Sequence, residues 1–217
     1  MRTVRVPHRE FQDLRRHAAP SCTLSGAVLG LLICGAMVAQ TPATAQSLPE
    51  QEKQVESDAK KDYPTESYSE AVRKEALKRA DEVSKSSKND EAKIQFAIGN
   101  FFGFYFVNVR SHVTYCKNLG VDISAFTKAF EAANQEMYEQ AGKLLYRRAV
   151  TEEQLFKQME TSLASMTAKN MDDLAATDKL TTRQECEIQL QNLEARVARV
   201  NFAKIQPDVA KILLSAQ

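Results

Sequence analysis

The chain has 217 residues, with 29 basic and 28 acidic side chains, 43% hydrophobic residues, 7 glycines, 6 prolines and no tryptophan. A formal charge of only +1 provides no basic face with which to neutralise phosphates, which argues against nucleic acid as a partner.

Residues 1–45 read as a targeting segment. Arg2, Arg5, Arg9, Arg15 and Arg16 precede an uncharged apolar run from Gly26 to Ala39, and Ala43-Thr44-Ala45 is an A-x-A cleavage site. The apolar run is too short to span a bilayer. A signal peptide cleaved after Ala45 is therefore expected, with export to the periplasm and a mature chain that begins at Gln46. Ile33 is too large to precede a lipoprotein cysteine at Cys34, and "RRHAAP" lacks the continuation of a twin-arginine signal. Removing five arginines and two acids from the +1 chain leaves a mature charge of about −2. Cys116 and Cys186 are then the two remaining cysteines. In an exported chain such a pair is most simply a disulfide, and neither cysteine has the C-x-x-C spacing of a redox or metal motif.

From Gln46 to Pro64 the sequence is polar and contains two of the three mature prolines, so residues 46–66 are expected to be a flexible tether. Residues 67–217 then form the folded domain. No proline intervenes between Pro64 and Pro207, and the apolar spacing is that of helices. A first helix, from Ser67 to about Ser84, carries a thin stripe of Tyr68, Val72, Ala76 and Ala80. A second starts at an Asn89 or Asp90 cap, runs to about Lys117, and stops at "NLGVD", where Gly120 suits a left-handed terminator. In the third, Ile123, Phe126, Phe130, Ala133, Met137, Ala141 and Leu144 share one face over about six turns, capped by Asp122 or Ser124. A fourth opens at Thr151, with Gln154 completing a capping box. A fifth opens with a second box, Thr182 to Glu185, and buries Cys186, Leu190, Leu193, Val197 and Val200. Pro207 fits the first turn of a short terminal helix. The expected fold is all-α: a single bundle of five or six helices, with Cys116 and Cys186 pinning the second helix to the fifth.

The run "AIGNFFGFYFVNV", residues 97–109, holds the chemistry that most needs a reading. Sixteen residues separate Lys93 from Arg110. They make about 24 Å of helix against a hydrocarbon thickness of about 30 Å, so no membrane span is expected in the mature chain. Apolar residues cover most of the circumference, the pattern of a helix surrounded by neighbours. Gly99 and Gly103 leave a flat patch that either a helix or a flat ligand could approach. Asn100, Phe102, Tyr105 and Phe106 complete this candidate patch for a ligand or a packed helix.

Chemistry is otherwise sparse. His112 is the one histidine beyond the leader. It lies four residues before Cys116, and an oxidised Cys116 makes that pair inert, so His112 is expected at a surface or a helix end. No phosphate loop, dinucleotide fingerprint, nucleophile elbow or metal motif is present, so neither a cofactor nor a metal is expected. The expected function is non-enzymatic: a periplasmic helical protein that binds another envelope protein, as an immunity protein, inhibitor or adaptor. The alternative is a carrier or sensor of a small apolar ligand held against helix 94–113, and an enzyme with a carboxylate site ranks last.

Overall fold

The computed structural model describes residues 48–86 and 89–217, which are almost entirely helical, with no strand among the described residues. The expected leader and its cleavage site after Ala45 lie outside the described residues.

The first helix, α1, spans Leu48–Asp62, where a flexible tether was expected. Among its described side chains the apolar stripe is Val55 and Ala59, both buried. Charges supply the rest of the contact with α2 (Tyr68–Ser86) and with the long helix α7 (Glu152–Asp178). Asp58 pairs with Arg79, Lys78 Nζ donates to Asp62 at 2.8 Å, and Glu56 accepts from Tyr68 Oη at 2.7 Å and from Lys169 Nζ at 2.5 Å. The polar composition that suggested a solvated tether is therefore one half of an inter-helix charge pattern.

Helix α3, Asp90–Tyr105, begins where expected: Asn89 Oδ1 accepts from the Ala92 N–H at 2.7 Å. It continues through a five-residue π turn, Phe106–Arg110, into α4, Ser111–Asn118. The turn closes with the Ser111 N–H on the Phe106 carbonyl, five residues back. Ser111 Oγ lies 2.8 Å and 2.9 Å from the carbonyls of Phe106 and Val107 and accepts from Thr167 Oγ1 at 2.8 Å. One extra residue in a turn advances every later side chain by about 100° around the axis. Helix α4 ends in a Schellman motif, with Gly120 at φ +77° and the N–H groups of Gly120 and Val121 on the carbonyls of Lys117 and Cys116.

The expected six-turn third helix is two helices, α5 (Ala125–Ala133) and α6 (Gln135–Tyr146). They meet at buried Asn134, with φ −122° and ψ 25°. Asn134 Nδ2 donates to the Phe130 carbonyl at 2.9 Å, and its Oδ1 accepts from the Phe202 N–H at 3.1 Å. A side chain that bonds the backbone of the preceding turn and of a distant segment competes with the helical ladder, and the helix breaks there. Helix α7 is one piece of 27 residues, capped by the Thr151–Gln154 box as expected.

Helix α8, Thr182–Gln191, starts one residue earlier than the expected box, with Thr181 as the cap and Gln184 as its partner. It is separated from α9 (Leu193–Arg199) by Asn192 at φ −112° and ψ 36°. Of the expected apolar stripe, Cys186, Val197 and Val200 are buried, while Leu190, which precedes the break, is exposed. A short helix α10 (Phe202–Ile205) and α11 (Pro207–Ser215) close the chain, with Pro207 in the first turn of α11. The all-α expectation holds, but with more and shorter helices than five or six, because Asn134, Asn192 and the π turn interrupt the long ones.

Two apolar clusters result. The larger surrounds α3, which packs against α11, α6 and α2. Its aromatic rings interlock: Phe101 meets Phe202 edge to face at 5.1 Å, and Tyr105 stacks on Phe130 at 5.3 Å. The smaller cluster is Cys116, Val121, Ile123, Met171, Leu174 and Cys186, built around the disulfide. Cys116 and Cys186 are bonded with their Cα atoms 5.6 Å apart, so α4 and α8 are joined as expected, but each packs mainly against α7 and not along the other.

Candidate functional site

The patch read from the sequence is interior. Gly99, Asn100, Phe102, Gly103, Tyr105 and Phe106 are all buried along α3 and the start of the π turn. Tyr105 Oη donates to Glu131 at 2.5 Å, and burial followed by this bond pushes the phenol pKa well up. Asn100 is 0% exposed, and neither atom of its amide has a hydrogen-bond partner among the described residues. Of the six, Phe102 alone reaches a surface opening described below.

That opening is a cleft of about 220 Å³ between α6 and the start of α7. Phe102, Leu145 and Val150 supply its apolar lining, and Tyr138, Gly142 and Tyr146 come from α6. The polar end is Glu152, which accepts from Tyr138 Oη at 2.5 Å and from Arg110 Nη1 at 2.7 Å. Burial and then the Glu152 bond raise the Tyr138 phenol pKa, so the phenol is held as a neutral donor. The Arg110 guanidinium lies over the Phe156 ring, 4.0 Å from its centroid, at the residue that ends the π turn. Tyr146 stands at the rim, 78% exposed, just before a turn in which Ala149 takes φ +55°. The sequence did carry a signal for this cleft that the periodicity reading overlooked. Tyr138, Gly142 and Tyr146 recur at spacing four, so a gap separates two aromatics on one row of a helix.

A second polar group is hidden beside the disulfide. His112, expected at a surface or helix end, is 1% exposed. Arg196 Nη2 donates to its Nδ1 at 2.9 Å, and Asn170 lies 3.5 Å from its Nε2. Because a guanidinium has donors only, Nδ1 must accept and the imidazole proton sits on Nε2, where Asn170 Nδ2, itself a donor, stays at 3.5 Å, beyond a good hydrogen bond. Asn170 also accepts from Ser69 Oγ at 2.8 Å, and the Ser69 N–H donates to Asp173 at 3.1 Å. Buried Glu185 accepts from Gln189 Nε2 at 3.1 Å and lies 4.0 Å from Arg196 Nη1. Burial first, then the Arg196 charge, holds His112 at a pKa of about 3, and burial also brings the Arg196 guanidinium down to about 10. Burial raises the Glu185 carboxyl. A histidine this hard to protonate is a weak base, and Cys116, four residues on, is held in the disulfide.

Among the described residues no group of three or more His, Cys, Asp or Glu side chains is placed to hold a metal ion, and no helix is long and apolar enough to cross a membrane. No known protein family, curated protein or solved structure matches the chain.

Proposed function

We propose that the chain is a non-enzymatic periplasmic protein that acts by binding another envelope protein, as an immunity protein, inhibitor or adaptor would. The observation that carries this reading is Tyr146, a large aromatic left 78% exposed at the rim of an open, mainly apolar cleft. Exposed tyrosines beside apolar recesses serve as interface anchors, because they bury a large area at low entropic cost. Size favours a protein over a free ligand: the cleft holds about 220 Å³. Small-molecule pockets more often enclose roughly 300 to 1,000 Å³. The alternative, a carrier of a small apolar ligand held against helix 94–113, draws support from Phe102 at the cleft and from the unpaired Asn100 amide. Export rests on the basic, apolar and A-x-A pattern of residues 1–45.

Site-specific photo-cross-linking tests the binding reading. With p-benzoylphenylalanine in place of Tyr146, a discrete protein adduct is expected in the native host, and none with the same group at exposed Lys53 on α1. Native mass spectrometry on protein from that host separates the alternative, which requires a retained small mass. Recovery of a chain beginning at Gln46 from the periplasmic fraction tests the export.

A further inference from the structure

Helix α1 is linked along the chain to α2 by residues 63–67, a turn that contains Pro64. Each ion pair it makes with another helix, among the described residues, has the acid on α1 and the cation on the other helix. Asp58 pairs with Arg79, Asp62 with Lys78, and Glu52 and Glu56 share Lys169. Its own basic residues, Lys53, Lys60 and Lys61, are exposed. The pairs are open to water, with Lys78 and Lys169 each 43% exposed. Pairs of this kind are weak singly and weaken further in salt.

The helices beneath α1 do not need it for charge balance. Glu75, 2% exposed, holds Arg79 Nε at 2.6 Å and Lys78 Nζ at 3.3 Å from within α2. Withdrawal of α1 leaves those two cations with a carboxylate, and it leaves Lys169 to water. Val55 and Ala59 are the described apolar side chains that α1 buries. A 15-residue helix freed of its neighbours is marginal in water, so α1 cannot stay helical once it leaves.

We propose that α1 is a strap released by salt: as ionic strength rises it leaves α2 and α7 and melts as a unit, hinged at residues 63–67, while the helices from α2 onward stay folded. Release uncovers the face of α2 and α7 on which α1 lies, together with Lys78, Arg79 and Lys169. This motion is independent of any partner at the Tyr146 cleft.

Trypsin reads the open state, because Lys60 and Lys61 are cut only when α1 has melted, and the rate of cutting follows the open population. The measured quantity is the rate of cleavage after Lys60 and Lys61 in the full chain, divided by that of a free peptide of residues 56–66 in the same buffer. This ratio should rise at least about tenfold between about 20 mM and about 500 mM sodium chloride. Glu56→Gln/Asp58→Asn/Asp62→Asn should be cut quickly already at low salt and lose most of its response to salt. Ala59→Gly, which weakens the helix without touching the ion pairs, should be cut faster at every salt concentration and keep the response. Circular dichroism without trypsin should lose no more helix at high salt than α1 contains. A ratio unaffected by salt, a salt response kept in full by the triple variant, or a larger loss of helix would each overturn the proposal.

Discussion

His112 is neutral in the folded protein, its pKa held near 3 by burial and then by Arg196, against 6.5 for an exposed histidine. Between those two values the unfolded chain binds a proton that the folded chain does not, so stability must fall as the pH drops below about 6.5. The slope from this one group has a ceiling of about 1.4 kcal/mol per pH unit. Glu185 works in the opposite sense: its raised folded pKa means that it destabilises when ionised, and acidification relieves it. Urea denaturation at a series of pH values should therefore show His112→Leu less stable than the unaltered chain near neutrality, because Arg196 loses its acceptor, with the gap closing toward acid pH. The same difference measured in a Glu185→Gln background separates the Glu185 contribution, which reaches His112 through Arg196. Parallel curves would assign the acid sensitivity to other groups. Asn100 predicts a gain instead of a loss. Both atoms of its amide are buried without a hydrogen bond, so Asn100→Leu should stabilise the fold by roughly 1 to 3 kcal/mol. Thermal or urea unfolding reads this directly, and a net loss would show that the amide is held by a partner in solution.

Helix α1 separates what could be read from the sequence from what could not. Caps that depend on one residue and its near neighbours were legible: Asn89 before α3, Gly120 after α4, and the Thr151–Gln154 box before α7. The disulfide partners followed from there being only two cysteines beyond residue 45. Helix α1 did not follow, because its stripe is two residues wide and its remaining partners, Arg79, Lys78 and Lys169, lie on other helices. The corner at Asn134 is similar: its Oδ1 bonds the Phe202 N–H, 68 residues away in sequence, and nothing in the local periodicity of α5 and α6 marks it. The π turn hides for the same reason, since Thr167 of α7 supports it through Ser111. His112 was misplaced because its neighbours Arg196 and Asn170 come from α9 and α7. The cleft was missed although its clue is local, because the apolar stripe through Met137, Ala141 and Leu144 lies beside the row of Tyr138, Gly142 and Tyr146 and not on it. An ion-paired contact has a measurable signature that an apolar one lacks. Hydrogen exchange in residues 48–62 should speed up as ionic strength rises, while residues 94–109 of the aromatic core stay protected. Equal protection of both segments at all salt concentrations would place the hold on α1 in Val55 and Ala59 alone.

Across the whole molecule, the two apolar clusters are unequal, and the disulfide sits in the smaller one. The large cluster gathers α3 and most of the helices around it, with rings from α3, the π turn, α5, α6, α7 and α10 joined in one chain of contacts. The smaller has six buried residues, two of which are the cysteines themselves. That end of the bundle therefore depends on the covalent link more than the aromatic end does. Cys116 and Cys186 are 70 residues apart in sequence. In the chain-entropy description a loop of that length is worth about 4 kcal/mol, acting through the unfolded state. Cys116→Ala/Cys186→Ala, or reduction under denaturant, should lower the unfolding free energy by about that amount, a large share of a domain's net stability. Helical circular dichroism should persist at room temperature, since α3 keeps its neighbours. The loss should be uneven in hydrogen exchange, with residues 182–199 opening before residues 94–109, because α8 and α9 hold the bridge and the Arg196 contact to His112. Freed of α8, the His112 pocket would open to water and the histidine would titrate closer to 6.5, so the acid-dependent part of the stability curve should shrink in the cysteine-free chain. An unchanged midpoint on reduction, or uniform loss of protection in both regions, would mean that the aromatic hub alone organises the bundle.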